Sequence, residues 1–356
     1  MPPVVLNMII KNEAPVITRC LASVRPLIDH WVIVDTGSTD GTQDIVREFM
    51  HDVPGTLFER PWKNFAHNRN EALELARPYG GYLLFIDADE QLRVPPDFAW
   101  PALSADGYTL TCHMDGWEYQ RNSLIATRIG WHWEGVLHEY LTAKQHGPWQ
   151  TLQGPVIHVS HDGARARDPE TYLRDMALLE QAVRDDPTNT RNVFYLAQSC
   201  RDAGKIEPSL LWYQRRVDMG GWEEERWYAL FQIAVLHERN QAPAATVREA
   251  YLAAYAARPQ RAEPLCELAR YHRERGEHAL ATVFALQASQ IAQPADILFV
   301  DTQVYAWRAL DELAVSAFYT PHRDLGRAAL QRLLAERRYP DNQAQRIEAN
   351  KTFYGI

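Results

Sequence analysis

The sequence contains few cysteines and no long apolar run, and both absences limit the kinds of protein it can encode. Only 4 cysteines occur among 356 residues, and no two of them form a C-x-x-C pair, so neither a zinc site nor a disulfide framework is predicted. No run of about 18 apolar residues is present, which argues against a membrane-spanning helix. The first residues lack the basic segment of a secretory signal. We therefore expect a cytoplasmic protein with reduced thiols.

The sequence also lacks an excess of basic residues. It holds 37 Lys and Arg against 46 Asp and Glu, which gives a net charge of −9. Residues 1–163 carry most of this imbalance, with 12 basic and 20 acidic side chains and hence a net charge of −8. Proteins that bind nucleic acid rely on basic surfaces. Nucleic acid is therefore a poor candidate partner.

Apolar runs alternate with helical patterns over about the first 90 residues. Residues 4–10, 31–35 and 82–87 are apolar runs of strand length, separated by segments with helical periodicity. This alternation is typical of βαβ units, whose parallel strands are covered by helices on both faces. Shorter alternating strands are predicted from there to about residue 160. The chain length suggests two domains, and we place an α/β domain at 1–163.

From residue 168 onward the periodicity is helical, and an internal repeat is present. Ala197, Ala234 and Ala269 are 37 and 35 residues apart, and each lies seven residues before a turn position. The three turn positions are Gly204, Gln241 and Gly276. The pattern resembles the tetratricopeptide repeat, in which a small residue lies where two helices touch. We therefore predict an all-α, tetratricopeptide-like domain at 168–356, with an irregular helical bundle as the alternative.

Polar residues follow the predicted strands at the points where these strands end. Asp87 and Asp89 come directly after one strand, Asn12 and Glu13 follow another, and Asp35 begins a turn after a third. Ligands of parallel sheets bind at the carboxyl ends of the strands. Two adjacent carboxylates need a compensating charge, and a hard cation such as Mg²⁺ or Mn²⁺ that holds a diphosphate would supply it.

Asp87 and Asp89 form a D-x-D motif, and Arg69 lies in the predicted helix before the strand that carries it. Together these segments resemble family 2 glycosyltransferases of the GT-A fold, which is a Rossmann-like fold of nucleotide-diphospho-sugar transferases. The resemblance implies that Asp35 accepts a hydrogen bond from the uracil N–H. It implies that Asn12 and Glu13 line the nucleoside pocket and that Arg69 lies by the base and diphosphate.

The same resemblance assigns the metal ligands. Asp87 would touch the ribose and the metal shell, and Asp89 would ligate the cation, Mn²⁺ or Mg²⁺. A histidine after the last core strand often adds a further ligand in such enzymes. His158 is the preferred candidate, and His161 is the alternative.

An inverting transferase needs a general base for the acceptor. By its position in the chain, Glu139 is the candidate base, and Glu134 is the alternative. The family often has an acidic pair here, whereas this sequence has His138-Glu139. His138 would orient Glu139 or contact the donor phosphate. Trp131, Trp133 and Trp117 are candidates for stacking on a sugar, with burial in the protein core as the alternative.

The resulting expectation is a metal-dependent, inverting glycosyltransferase that moves a sugar from a UDP-sugar to a hydroxyl or thiol. The helical domain would present a peptide, protein or saccharide acceptor, or form a homodimer. The alternatives are an inactive binding scaffold and a nucleotidyltransferase, which shares the sheet and the metal carboxylates. A phosphatase of the haloacid dehalogenase type is set aside, because Gln91 stands where that family has Thr or Val.

Overall fold

The computed structural model describes residues 2–356, which form two compact units. The first unit comprises the chain up to Asp115 together with Tyr119–Ala203, and the second comprises Gly116–Glu118 and Gly204–Ile356. Strands give way to helices between residues 158 and 164, close to the predicted boundary. The first helices after that point nevertheless group with the strands, so the compact units divide about 40 residues later than the change of secondary structure. No helix within residues 2–356 is long and apolar enough to cross a bilayer.

The first unit combines strands with six helices. Its strands are β1 (Val4–Ile10), β2 (His30–Asp35), β3 (Gly55–Glu59), β4 (Tyr82–Phe85), β5 (Gln91–Arg93), β6 (Gly107–Met114), β7 (Trp117–Ala126), β8 (His132–Glu134), β9 (Tyr140–Thr142) and β10 (Gln150–His158). Its helices are α1 (Ile17–Val24), α2 (Thr42–Phe49), α3 (Phe65–Ala76), α4 (Ala164–Arg167), α5 (Thr171–Asp185) and α6 (Thr190–Asp202). The apolar runs predicted as strands are β1, β2 and β4.

The main sheet has the strand order β3-β2-β1-β4-β7-β6-β10-β5. Strands β3, β2, β1 and β4 are parallel, and β7 is antiparallel to β4. Strands β8 and β9 form a separate antiparallel ribbon. The chain runs outward from β1 to β3 and then returns to the other side of β1 as β4. This reversal creates a crevice at the carboxyl ends of β1 and β4.

Side chains on the two faces of this sheet form two hydrophobic cores, as the continuous apolar strands predict. On one face Leu6 and Met8 of β1 pack with Ile17 and Leu21 of α1. On the other face Val5 packs in a core that contains Leu73 of α3 together with Trp131 and Trp133. Alternate residues of β1 thus face opposite cores, and the apolar residues of α1 recur at helical spacing on the face that packs on the sheet, as predicted for a sheet covered on both sides.

The second unit is helical. Its helices are α7 (Ile206–Asp218), α8 (Glu223–Arg239), α9 (Ala244–Ala257), α10 (Glu263–Glu274), α11 (His278–Ser289), α12 (Ala309–Ala317), α13 (Arg323–Glu336) and α14 (Asp341–Tyr354). From α7 to α14 each helix packs against the next one in the chain. A two-residue strand, β11 (Val300–Asp301), pairs with Trp117 and Glu118. The predicted α/β region followed by an all-helical region is confirmed.

The repeat predicted from small residues and turns has a clear structural basis. Ala197, Ala234 and Ala269 are all fully buried. The turn residues Gly204 and Gly276 have φ angles of 72°, which glycine adopts without strain. Gln241 adopts the same left-handed region, with φ of 55°. The middle repeat therefore keeps the turn conformation without the glycine, which explains its weaker sequence signal.

Candidate active site

The polar residues singled out in the sequence meet at one edge of the sheet. In the register of β1 and β2, Ile10 lies opposite Asp35, so the segment that follows β1 adjoins the turn that follows β2. Asp87 follows β4, the other neighbour of β1. The predicted nucleotide-binding segments therefore lie side by side at the crevice where α/β folds bind ligands.

Asp35 is almost completely buried, with 1% of its surface exposed. One of its carboxylate oxygens, Oδ1, accepts hydrogen bonds from the backbone N–H groups of Gly37 and Ser38 at 3.0 and 2.9 Å, and from Gln43 Nε2 at 3.1 Å. The other oxygen, Oδ2, is buried and has no hydrogen-bond partner. A buried carboxylate oxygen without a donor is costly. A ligand N–H group would satisfy it, which agrees with the predicted role.

Asn12 holds the ends of β1 and β2 together. Its backbone N–H donates to Ser38 Oγ at 2.8 Å, and its Oδ1 accepts from the backbone N–H of Thr39 at 2.8 Å. Its φ of 57° lies in the left-handed region, where asparagine is tolerated better than most residues. Asn12 thus shapes the turn that begins at Asp35.

Glu13 lies in a partly buried, acidic setting. Its Oε2 accepts a hydrogen bond from the backbone N–H of Ala164 at 3.0 Å. Burial raises the pKa of Glu13 to about 7, and the charge of Asp89 adds to this rise against the opposing Ala164 hydrogen bond. The carboxylic acid of Glu13 is therefore partly protonated at neutral pH.

Arg69 is the central side chain of the site. Its Nη2 donates to Asp87 Oδ1 at 2.8 Å, its Nε donates to Glu139 Oε1, and its guanidinium lies 5.0 Å from the ring centre of Trp133. The Arg69 side chain is 15% exposed and that of Glu139 only 7%. A single guanidinium thus connects the D-x-D segment with the candidate base.

The charge of Asp87 is compensated on two sides. Arg121 Nη1 lies 3.5 Å from Asp87 Oδ2, although the Asp87 side chain remains 44% exposed. Desolvation acts to raise the pKa of Asp87, but the charges of Arg69 and Arg121 lower it to about 2. Asp87 is therefore ionised throughout the physiological pH range.

Three residues that support the site were not predicted from the sequence. Glu90 accepts from Arg121 at 2.8 and 2.5 Å and also accepts the backbone N–H of Asp87 at 2.9 Å. Asn70 exchanges two hydrogen bonds with the backbone of Trp133, at 2.7 and 2.9 Å. Glu90 directly follows the D-x-D motif and Asn70 directly follows Arg69, so their proximity to the motifs was the available signal.

The segment predicted as a boundary between domains forms part of the site. A Cβ added at Gly163 would lie 2.6 Å from Asp89 Oδ2, and the next residue, Ala164, binds Glu13. Arg167 Nη2 donates to the carbonyl oxygen of Asn12 at 3.0 Å. Residues 163–167 therefore cover the strand ends rather than serving as a free linker.

The two candidate bases differ in their surroundings. Glu134 is about half exposed and accepts from His132 at 2.8 Å and from the Tyr140 hydroxyl at 2.9 Å. The side chain of Glu139 is buried beside Arg69, which also pairs with Asp87. The geometry therefore favours Glu139, although its role as base stays a prediction.

Asp89 and His158, two of the predicted metal ligands, are both partly buried. Asp89 forms no ion pair within 4 Å in the described part of the chain, and burial together with the charge of Asp87 raises its pKa. His158 lies opposite Gln91 in the pairing of β10 and β5, and its Nδ1 is buried without a hydrogen-bond partner. His161, the alternative, is exposed.

The described residues 2–356 do not form a cation site from protein side chains alone. Among residues 2–356, no group of three or more His, Cys, Asp or Glu side chains is placed to hold a metal ion. Mg²⁺ commonly uses only one or two carboxylates together with substrate phosphates, and Asp89 fits this kind of site. The predicted ligand set of Asp87, Asp89 and His158 stays a prediction.

The two tryptophans are part of the protein core. Trp131 is 1% exposed and Trp133 is 9% exposed. The ring of Trp133 packs against Phe85 at 5.1 Å and lies beneath Arg69. Sugar stacking by Trp131 is therefore wrong, because the ring has no free face, and Trp133 acts as the platform for Arg69.

A cleft of about 450 Å³ lies beside the loop that carries Glu139. Its walls come from the start of α3, from residues 134–137 and Tyr140, and from α5 and α6. A second cleft of about 410 Å³ shares Tyr140, Asn189 and Arg191 with it. Both volumes fall within the range of small-ligand sites.

The family model of glycosyl transferase family 2 matches residues 6–98. This range contains most of β1, all of β2 to β5, and the segments that follow β1, β2 and β4. The N-terminal region is thus similar to family 2 glycosyltransferases. The predicted resemblance is thereby confirmed.

Two relatives extend beyond this glycosyltransferase domain. A TPR repeat-containing protein of Synechococcus elongatus is 27% identical over 312 residues, which are 81% of this chain and 75% of that protein. The SPbeta prophage-derived glycosyltransferase SunS of Bacillus subtilis is 24% identical over 61% of this chain and 54% of its own length. This chain thus spans about half of SunS. A solved structure of MamA overlaps 49% of this chain, with 14% identity and a TM-score of 0.37.

The family model and the two curated relatives support a glycosyltransferase joined to a tetratricopeptide-like helical region. The glycosyltransferase domain model ends at residue 98. Glu139, His138 and His158 therefore lie beyond the matched range, and their roles depend on the geometry of this chain.

Proposed function

We propose that this chain transfers a sugar from a nucleotide sugar, with UDP as the nucleotide, to a hydroxyl or thiol with inversion at the anomeric carbon. The observation that carries this proposal is the buried, unpartnered Oδ2 of Asp35 at the carboxyl edge of a family 2 glycosyltransferase domain. In this proposal, that oxygen accepts one N–H group of the base, such as the ring N–H of uracil.

The proposed division of roles follows from charge. The leaving diphosphate gains negative charge, which a fixed guanidinium stabilises, and Arg69 is the nearest such group to Asp87. Asp89, with Asp87 and His158, would hold a divalent cation, Mn²⁺ or Mg²⁺, that offsets the same charge. Glu139 would accept the proton of the attacking hydroxyl or thiol.

The acceptor would approach through the cleft beside Glu139. The cleft is lined by Asn64, Asn189 and Asn192 together with Arg191 and Leu178, so it offers hydrogen-bonding groups to a peptide, protein or saccharide. A homodimer formed through the helical region and a cytoplasmic location stay predictions.

The test is a thermal-shift screen of nucleotide sugars with and without Mn²⁺, followed by analysis of the products. A ligand at 100 times its Kd should stabilise the protein by about 2.7 kcal/mol. Asp35→Asn replaces the free oxygen with a donor and should weaken UDP-sugar binding by about 10- to 100-fold, since hydrogen bonds to charged groups contribute about 1.5–3 kcal/mol. Asp44→Asn, on the exposed face of α2, is the matched control.

Three outcomes would contradict the proposal. Release of pyrophosphate instead of a nucleoside diphosphate would identify a nucleotidyltransferase. Absence of nucleotide binding would identify a binding scaffold. Turnover that is unchanged in Asp89→Ala would remove the metal role of that residue.

A further inference from the structure

The loop that carries Glu139 has an unusual backbone. It connects β8 to β9, and within it Gly135 and His138 have φ angles of 115° and 51°. A non-glycine residue in the left-handed region costs roughly 1–3 kcal/mol and persists only when its surroundings hold it. His138 directly precedes Glu139, so whatever holds His138 also sets the position of the candidate base.

Two side chains of α6 hold His138. Arg191 donates to the His138 carbonyl oxygen from Nε at 3.1 Å and from Nη2 at 2.8 Å. The ring of Tyr195 stacks on the imidazole with ring centres 3.9 Å apart and planes 13° from parallel. Arg191 and Tyr195 are four residues apart and hence on one face of the helix.

The same guanidinium also contacts the other side of Glu139. Arg191 lies 5.1 Å from the ring centre of Tyr140 and 4.8 Å from that of Tyr195. The residues immediately before and after Glu139 are thus both in contact with Arg191. Desolvation against the neighbouring ring, together with Arg191 and Arg165, lowers the pKa of His138, so its imidazole is neutral beside these cations.

We infer that Arg191 and Tyr195 are positioning residues for Glu139, so that α6, which lies outside the part of the chain matched by the glycosyltransferase family, sets the geometry of the proposed base. This inference rests on the proposed role of Glu139. Arg191 also lines both clefts, which places this contact at the proposed entry of the acceptor.

The experiment measures UDP release from UDP-glucose, UDP-galactose and UDP-N-acetylglucosamine, with Mn²⁺, in Arg191→Ala, Arg191→Lys, Tyr195→Ala and Tyr195→Phe. Arg191→Ala and Tyr195→Ala should lower kcat by about 10- to 100-fold, the effect of a displacement of roughly 1 Å at a reacting group. The KM for the donor should change less than about twofold. Tyr195→Phe keeps the stacked ring and should restore most of the rate.

Arg184→Ala on α5 is the control, because Arg184 donates to Gln181 and not to the loop. An inactive wild-type protein would refute the proposed function itself. An active wild type with an unchanged Arg191→Ala variant would refute the inference. Loss of UDP-sugar binding in the thermal-shift assay of Arg191→Ala would also refute it, since a positioning residue for the base leaves donor binding intact.

Discussion

Replacement of Arg69 by methionine provides a direct test of the site's electrostatics. The variant removes the guanidinium shared by Asp87 and Glu139 and keeps a side chain of similar length that can still cover Trp133. Asp87 loses little, because it is 44% exposed and retains Arg121 at 3.5 Å. Glu139 is only 7% exposed and is left as a buried carboxylate without a cation.

The expected loss of stability follows from these exposures. Removal of one partner of a fully buried ion pair costs about 3–5 kcal/mol, whereas an exposed pair contributes about 1 kcal/mol or less. Because Arg69 is 15% exposed, we expect Arg69→Met to lower the free energy of unfolding by about 2–4 kcal/mol. Most of this loss should come from Glu139, so the double variant Arg69→Met/Glu139→Gln should recover about 2 kcal/mol.

Urea unfolding followed by circular dichroism and tryptophan fluorescence measures these differences. The control is Arg47→Met, because Arg47 pairs with Asp44 and Glu59, whose side chains are 88% and 63% exposed. That variant should cost less than about 1 kcal/mol. Equal losses in Arg69→Met and Arg47→Met, or no recovery in the double variant, would refute the buried-charge argument.

Two further variants test neighbouring parts of the site. The pKa of Glu13 in the folded protein is about 7, against an ordinary pKa of 4.5. The free energy of unfolding should therefore fall as the pH rises from about 4.5 to about 7. Glu13→Gln should abolish this fall. Because Glu13 is only partly buried, solvent screening reduces the effect, and the variant should gain about 1–2 kcal/mol over wild type between pH 5 and pH 8, measured by urea unfolding in EDTA. A constant difference would exclude this titration. Gly163→Ala places a Cβ 2.6 Å from Asp89 Oδ2, so transfer should slow by about 10-fold, with little change in Tm because the carboxylate can rotate. Gly130→Ala, which meets nothing within 4 Å, should leave the rate unchanged.

The fold could be predicted where local pattern decides it. The apolar runs predict β1, β2 and β4, because strands that are buried on both faces need apolar residues throughout. The spacing of the buried alanines likewise predicts the helical repeat. The predicted end of β4 at residue 87 is too late, because Ile86 continues the apolar pattern although the strand ends at Phe85. Sequence pattern records hydrophobicity, whereas a strand ends where its hydrogen-bonded partner ends.

The candidate site could be predicted only in part. Asp35, Arg69 and Asp87 follow strands or precede them, so the topology of a parallel sheet brings them together. Arg121 reaches Asp87 from an antiparallel strand whose register no local pattern specifies. Arg191 contacts the Glu139 loop from a helix more than 50 residues away along the chain. No local sequence pattern predicts how that helix packs.

The pairing of β1 with β4 has a consequence for folding. Val4 lies opposite Tyr82 in this pairing, whereas β1 and β2 are joined through a much shorter stretch of chain. Long-range strand pairs form slowly, because closing the intervening loop costs conformational entropy before any stabilising contact has formed. The strand-end segments around Asn12 and Asp35 can therefore assemble early, but the D-x-D carboxylates join them only when the distant strand docks. A partly folded chain would hold the side of the crevice that contains Asn12 and Asp35 and would lack the side that contains Asp87 and Asp89.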